Sequence, residues 1–195
     1  MSVTDQNNLL AFFYALDALK SVERRSYIQG GERRENSAEH SWHLAMACWA
    51  FAEALELDVD MGKLLKLALV HDVGEIGAGD TFLYSPDRDA APMRERECVS
   101  ELADHPGNAI KDLMALWDEQ EAGHSIEARL IKVVDRILPL QLNVESEGKA
   151  WLENDVHQDQ VLSMNAFIGD EYPALFAWVE AQVVHAVDKG WLKTR

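Results

Sequence analysis

The chain has 195 residues, 48% of them hydrophobic, enough for one sizeable core and a usual length for one domain or a tightly fused pair. Lys and Arg total 18 against 34 Asp and Glu, a formal net charge of −16. A field of that sign opposes non-specific binding to nucleic acid or anionic lipid, and the abundant Leu, Ala, Trp and Phe exclude a disordered acidic tail.

Helical periodicity runs through nearly the whole chain. Leu9, Leu10, Phe13, Leu16 and Leu19 fall at three- and four-residue steps, so an opening helix is predicted to about Ser21. Ile28 to Glu32, with two glycines, reads as a loop. Asn36 with Glu39 makes a capping-box start, and Ala38 to Leu57 carries a long apolar helix. Asp60 is placed to cap the next, which runs to His71. Glycines at 74, 77 and 79 then loosen the backbone. Tyr84 to Asp87 reads as a loop, and Pro92 suits the first turn of a helix ending near Asp104. Further helices are predicted from about Asn108 to Glu121 and from a Ser125 cap past Asp135, with Pro139 ending or kinking the second. Gln160 to Val187 gives two more, broken near Pro173. No strand-like alternation competes, and neither a repeat nor a Pro/Ser-rich linker interrupts the chain. The expected class is all-α, a single globular helical bundle.

Cys48 and Cys98 alone cannot frame a disulfide scaffold, so a reducing compartment is expected. The segment MSVTDQNNLL lacks the basic start and apolar stretch of a signal peptide. The longest apolar run, Leu44 to Ala52, has nine residues, against about 20 for a membrane span. A soluble cytoplasmic protein is the expectation.

Four features carry chemistry. His40 lies in the first turn of a long helix. His71 and Asp72 are adjacent at the end of an apolar one. Asp135 sits among Val133, Val134 and Ile137, where a carboxylate is costly to bury without compensation. A divalent cation compensates it; so does a neighbouring Lys132 or Arg136. Two imidazoles and two carboxylates suit Mn, Co, Fe or Zn better than Ca or Mg. Four ligands on an octahedral ion leave two positions for water or substrate.

The segments ENSAEHSWHLA, LALVHDVGEIGAGDTF and LWDEQEAGHSIEARLIKVVDR occur in that order. Together they resemble the HD-domain superfamily of metal-dependent phosphohydrolases, most nearly its 5′-deoxynucleotidase-like branch. The resemblance covers about Leu19 to Glu147. It implies a single HD domain over residues 1–195, with a C-terminal helical extension from about residue 150. It places the metal ligands on His40, His71, Asp72 and Asp135. It gives Glu75 and Asp80 the catalytic roles of activating water and assisting the leaving oxygen. It assigns phosphate binding to Arg24, with Arg25 as the alternative.

The implied reaction is hydrolysis of a small phosphomonoester, a nucleoside 5′-monophosphate, by metal-activated water. Alternatives are another phosphate ester or cyclic nucleotide, or a catalytically silent metal-binding interaction protein. Departures from the branch also count. Arg25 follows Arg24 where those enzymes place an aromatic residue against the 2′-hydroxyl, and Tyr27 comes two later. Ile76 after Glu75 argues against guanosine tetraphosphate hydrolysis.

His43, one turn from His40, is read as a pocket-wall group. His105, His124, His157 and His185 are read as surface or helix-end residues, and Glu39 as a cap. Trp42 and Trp49, seven apart on one face, are core or interface packing. Arg94 to Glu97 reads as a solvated face, and Arg33-Arg34 as an exposed loop. The apolar C-terminal residues Leu175, Phe176, Trp178, Val179, Val183 and Val184 point to a homodimer. Lys20 to Arg34 holds five basic residues against two acidic ones, a local +3 just before His40. The expected partners are therefore a small phosphorylated substrate and a second copy, not a polyanion or a membrane.

Overall fold

A computed structural model describes residues 2–86 and 88–195. Helix α1 spans Val3–Asp17, and Ser2 and Asp5 close a reciprocal capping box at its start. A 3₁₀ turn, Ala18–Ser21, leads into strand β1, Glu23–Tyr27, which pairs with β2, Arg34–Asn36. This hairpin departs from the expected absence of strands. Its short β1, ERRSY, carries three charged residues in five, so no apolar alternation marks it.

Helix α2, Ser37–Ala54, starts at the predicted Asn36–Glu39 capping box. Helix α3, Met61–Val70, starts where the Asp60 side chain accepts from the Lys63 amide. A four-residue helix α4, Glu75–Ala78, comes next. Asp87 of the expected 84–87 loop lies outside the described residues. Helix α5, Ala91–Ala103, has its proline in the first turn as expected.

Helix α6, Leu113–Ala122, begins later than expected. Asn108 spends its side chain on the Ile110 amide and the Ala103 carbonyl, a local turn that competes with helix. Helix α7, Ile126–Glu145, contains Pro139 and continues past it, so of the expected end or kink the end does not occur. Proline removes one amide donor from the ladder, while the Asn143 side chain donates to the Pro139 carbonyl one turn on. Short helices α8, Lys149–Glu153, α9, Gln158–Asn165, and α10, Ile168–Glu171, precede α11, Pro173–Asp188. Among the described residues no helix is long and apolar enough to cross a membrane.

The chain forms two compact units. The first takes Met1–Arg24 and Asn36–Val134, the second Arg25–Glu35 and Asp135–Arg195. In the first, Phe12, Val70, Val73, Val99, Leu102, Leu113 and Trp117 build one buried cluster. Burial of such side chains is worth about 1.5–3 kcal/mol each. Glu127, buried at the start of α7, accepts the Asp60 amide at 2.9 Å and pairs with Lys63 at 3.2 Å. This ties α7 to the capped end of α3.

In the second unit Trp151, Val161, Ile168, Val179 and Val183 are buried. The Tyr27 hydroxyl donates to Glu153, and the Lys149 ammonium stands 3.9 Å from the centre of the Tyr27 ring. Of the C-terminal apolar residues, Val179 and Val183 are spent internally. Leu175, Phe176 and Trp178 are half-buried, and only Val184 of that group stands well exposed.

Candidate active site

Buried positions 37, 40, 41, 44, 45, 48 and 52 define the inward face of α2. His40 is on that face and fully buried. The inward face of α3, Leu64, Leu67, Ala68 and Val70, carries the chain to His71 at its C-cap. Ligand atoms of His40, His71 and Asp72 lie within 4.8 Å of one another. The two imidazole rings are 5.4 Å apart.

One hydrogen bond fixes the chemistry of His71. Its Nδ1 lies 2.8 Å from the Ala68 carbonyl oxygen. A carbonyl only accepts, so Nδ1 carries a proton and Nε2 is the ring atom left to face the site. Nε2 is buried, and among the described residues no hydrogen bond satisfies it. It faces the Asp72 Oδ2 at 3.1 Å. A ring nitrogen and a carboxylate oxygen at that distance, inside the protein, are held by a positive charge between them, a proton on Nε2 or a metal cation in its place. Nitrogen plus carboxylate donors fit a divalent transition ion.

Arg24 supplies positive charge to the same place. Its guanidinium donates to Asp72 Oδ2 at 2.8 Å and lies 4.0 Å from Glu75 and 3.9 Å from Asp80. The alternation of β1 puts Arg24 inward and leaves Arg25 exposed. Gly79 ends α4 at φ 75°, a conformation open to glycine at little cost. The turn it makes returns the chain so that Asp80 joins Asp72 and Glu75 around one guanidinium.

Electrostatics separate these acids. Burial works to raise Asp72, but the facing His71 and Arg24 outweigh it and bring Asp72 down to about 2. Glu75 is pushed up to about 9, first by burial and then by the Asp72 charge. One carboxylate stays ionised while its neighbour holds a proton, a pattern common at catalytic centres.

Asp135 falls in the second unit, on α7, where it accepts from Arg136 at 2.6 Å. His43 is half-buried and stacks on Trp42. Glu39 serves as the cap residue. Arg34 pairs with Glu153 at 3.5 Å and lies over the Tyr27 ring. Tyr27 is thus committed to Glu153 and Lys149.

A family model described as an HD domain matches residues 16–176. The chain belongs to the HD-domain family. The chain is 30% identical over 159 residues to the 5′-deoxynucleotidase HDDC2 of Dictyostelium discoideum, covering 77% of this chain and 84% of that protein. It is 31% identical over 140 residues to the HDDC2 protein of Bos taurus, covering 70% and 66%. A structure described as a predicted metal-dependent phosphohydrolase from Magnetospirillum magnetotacticum superposes with a TM-score of 0.83 at 33% identity, covering 96% and 95% of the two chains.

Beside the HD pair the structure places one acid that sequence reasoning left on a solvated face. Glu95 is half-buried on α5. A Cβ added at Gly74 would meet the Glu95 Cβ and carbonyl at 2.7 Å, so α5 docks on the loop between Asp72 and Glu75. The Glu95 carboxyl is pushed up to about 7, first by burial and then by the charges of Asp72, Glu121 and Asp80. A signal was present. Glu95 falls in the helical stripe Ala91, Cys98, Val99 and Leu102, all buried, and the charge run Arg94 to Glu97 masked it.

Proposed function

We propose that the chain is a metal-dependent phosphomonoesterase of the HD family acting on a nucleoside 5′-monophosphate. The observation that carries this is His71 Nε2 facing the Asp72 carboxylate beside His40, with Arg24 and Glu75 next to them. The names of the related 5′-deoxynucleotidases support the substrate class.

His40, His71 and Asp72 would hold a divalent ion of the Mn, Co, Fe or Zn type. Asp135 is taken as the fourth ligand on motif order alone. When bound, the ion supplies Lewis acidity to water and to a phosphoryl oxygen. Arg24 offers a fork of donors suited to a phosphate. With a cation sharing the charge of Asp72, the guanidinium is freer to turn to phosphate.

Part of the rise in Glu75 comes from Asp72. Once that charge is offset, the Glu75 carboxyl is free to ionise, its proton passing to solvent. As a carboxylate, Glu75 would then accept a proton from the attacking water, whose oxygen bonds to phosphorus as the ester P–O bond breaks. Asp80 assists the leaving oxygen. With Tyr27 committed to Glu153, no deoxyribose preference is assigned to it. We take the chain as one HD domain with a C-terminal extension, cytoplasmic and homodimeric.

Elemental analysis followed by a phosphate-release screen over nucleotides tests this reading. The expected result is about one transition ion per chain and release from nucleoside 5′-monophosphates that stops on chelation. In His71→Ala and Asp72→Ala, folded by circular dichroism, metal content and turnover are lost together. Full activity in metal-stripped protein overturns the proposal.

A further inference from the structure

Helix α2 is apolar on both sides. Leu44, Ala45, Cys48 and Ala52 face the first unit's interior. On the opposite side Trp42, Met46 and Trp49 are 65%, 46% and 45% exposed. Spacings of four and three residues place these three on one stripe. A helix that is apolar all round is ordinarily covered all round.

We propose that this stripe is a two-fold interface with a second copy of the chain, the two α2 helices crossing antiparallel at Met46. The proposal rests on the homodimer reading above and gives it a surface, in place of the C-terminal helices.

Three observations select a second copy as the occupant. The first is charge. Residues 40–52 contain no Asp, Glu, Lys or Arg in a chain of net charge −16. Two such bodies repel, so they can only meet where acids are missing. Between Glu39 and Glu53 the stripe carries no charge, the nearest being the Glu53 carboxylate that accepts the Trp49 indole N–H at 3.4 Å, and the whole chain opposes an anionic lipid surface.

The second is area. The exposed parts of the three side chains amount to roughly 350 Å². A standard interface takes about 800 Å² from each partner, a little over half of it apolar. The stripe supplies most of that apolar share, and Ala50, exposed on the same face, adds to it.

The third is self-complementarity. Across a two-fold axis, residue i meets j while j meets i. With Met46 on the axis, Trp42 falls opposite Ala50 of the other copy, a large side chain against a small one. Trp49 falls opposite His43. The acids at the ends, Glu39 and Glu53, diverge when the helices cross at the common angle of about 50°.

The test combines sedimentation with cross-linking on the full chain. Wild type at micromolar concentration is expected at twice the 21.9 kDa chain mass. Met46→Glu and Trp42→Glu/Trp49→Glu, with native circular dichroism, are expected to dissociate at concentrations at least 100-fold higher than wild type. Because an exposed glutamate can perturb more than an interface, a milder variant is paired with them. Met46→Cys is expected to form a covalent dimer on mild oxidation. Trp42→Cys alone is expected to stay uncross-linked, and native Cys48 and Cys98 are buried.

A monomeric wild type overturns the homodimer reading itself, and leaves the stripe to another protein. A dimer that persists in both glutamate variants, or that fails to cross-link through Met46→Cys, overturns the surface alone. Neither result touches the metal and phosphatase readings.

Discussion

Glu95 brings a carboxyl whose pKa of about 7 lies above its ordinary value of 4.5. Folding therefore favours its protonated form. As pH rises from 4.5 toward 7, the unfolded chain releases this proton while the folded chain retains it, and the folded state loses stability. Below that window both states are protonated and nothing is lost. Glu95→Gln keeps the neutral shape. Its melting temperature in chelator-treated protein is expected to exceed wild type most at pH 8 and least at pH 5.5. A constant difference across that range would contradict the assignment. Arg24 poses the opposite case. Its side chain is 12% exposed and touches three acids. Removing one partner of a buried pair costs about 3–5 kcal/mol. Arg24→Ala is expected to lose about 3 kcal/mol in urea unfolding without metal, and to regain part of it with Mn²⁺. Equal losses in both conditions would separate Arg24 from the metal group.

Elements place these residues, and their legibility in the sequence was uneven. Capping boxes at Asn36 and the cap at Asp60 could be read directly, because each is a local pattern with a backbone partner three residues away. With both ends set, helical period was enough to place His40 and His71. The hairpin could not be read, since β1 is short and charged. Pro139 misled because α7 passes it by shedding one donor, and what holds the helix there is packing. The resemblance favoured Arg24 over Arg25, but that Arg24 is the one turned to Asp72 depends on β1, which was not legible. The approach of α5 to α4 was invisible for a similar reason. A Cβ added at Gly74 would meet Glu95 at 2.7 Å and one added at Gly77 would meet Cys98 at 3.0 Å, close approaches three residues apart on both sides. Gly74→Ala forces a methyl into backbone, and overpacking of this kind costs about 1–3 kcal/mol. The expected outcome is that loss in urea unfolding, with turnover falling further than stability because Glu75 is the next residue. A variant of wild-type stability and turnover would mean that α5 yields freely.

At the scale of the whole molecule the charge of −16 and the proposed metal act together. Asp72, Glu75, Asp80 and Asp135, the acids of the proposed site, are four of the 34, and the proposed divalent cation would offset part of their charge. Anything that binds only the folded state stabilises it by RT ln(1 + [L]/Kd), about 2.7 kcal/mol at a hundredfold excess over Kd. For a chain of this length each kcal/mol moves the melting temperature by about 2–4 °C. Saturating Mn²⁺ or Co²⁺ is therefore expected to raise the melting temperature of metal-free protein by roughly 5–11 °C. Net charge alone also predicts some rise, because added cations screen self-repulsion. The two effects separate by design. Screening is general, so Mg²⁺ at the same ionic strength and the His71→Ala variant both report it. Coordination needs the Nε2 lone pair that faces Asp72, so only wild type with a transition ion gains the larger shift. Wild type and His71→Ala responding alike to Mn²⁺ would reduce the metal effect to screening. The same titration repeated on Asp135→Asn reads whether that carboxylate, assigned by motif order, belongs to the ligand set: retention of the full shift removes it.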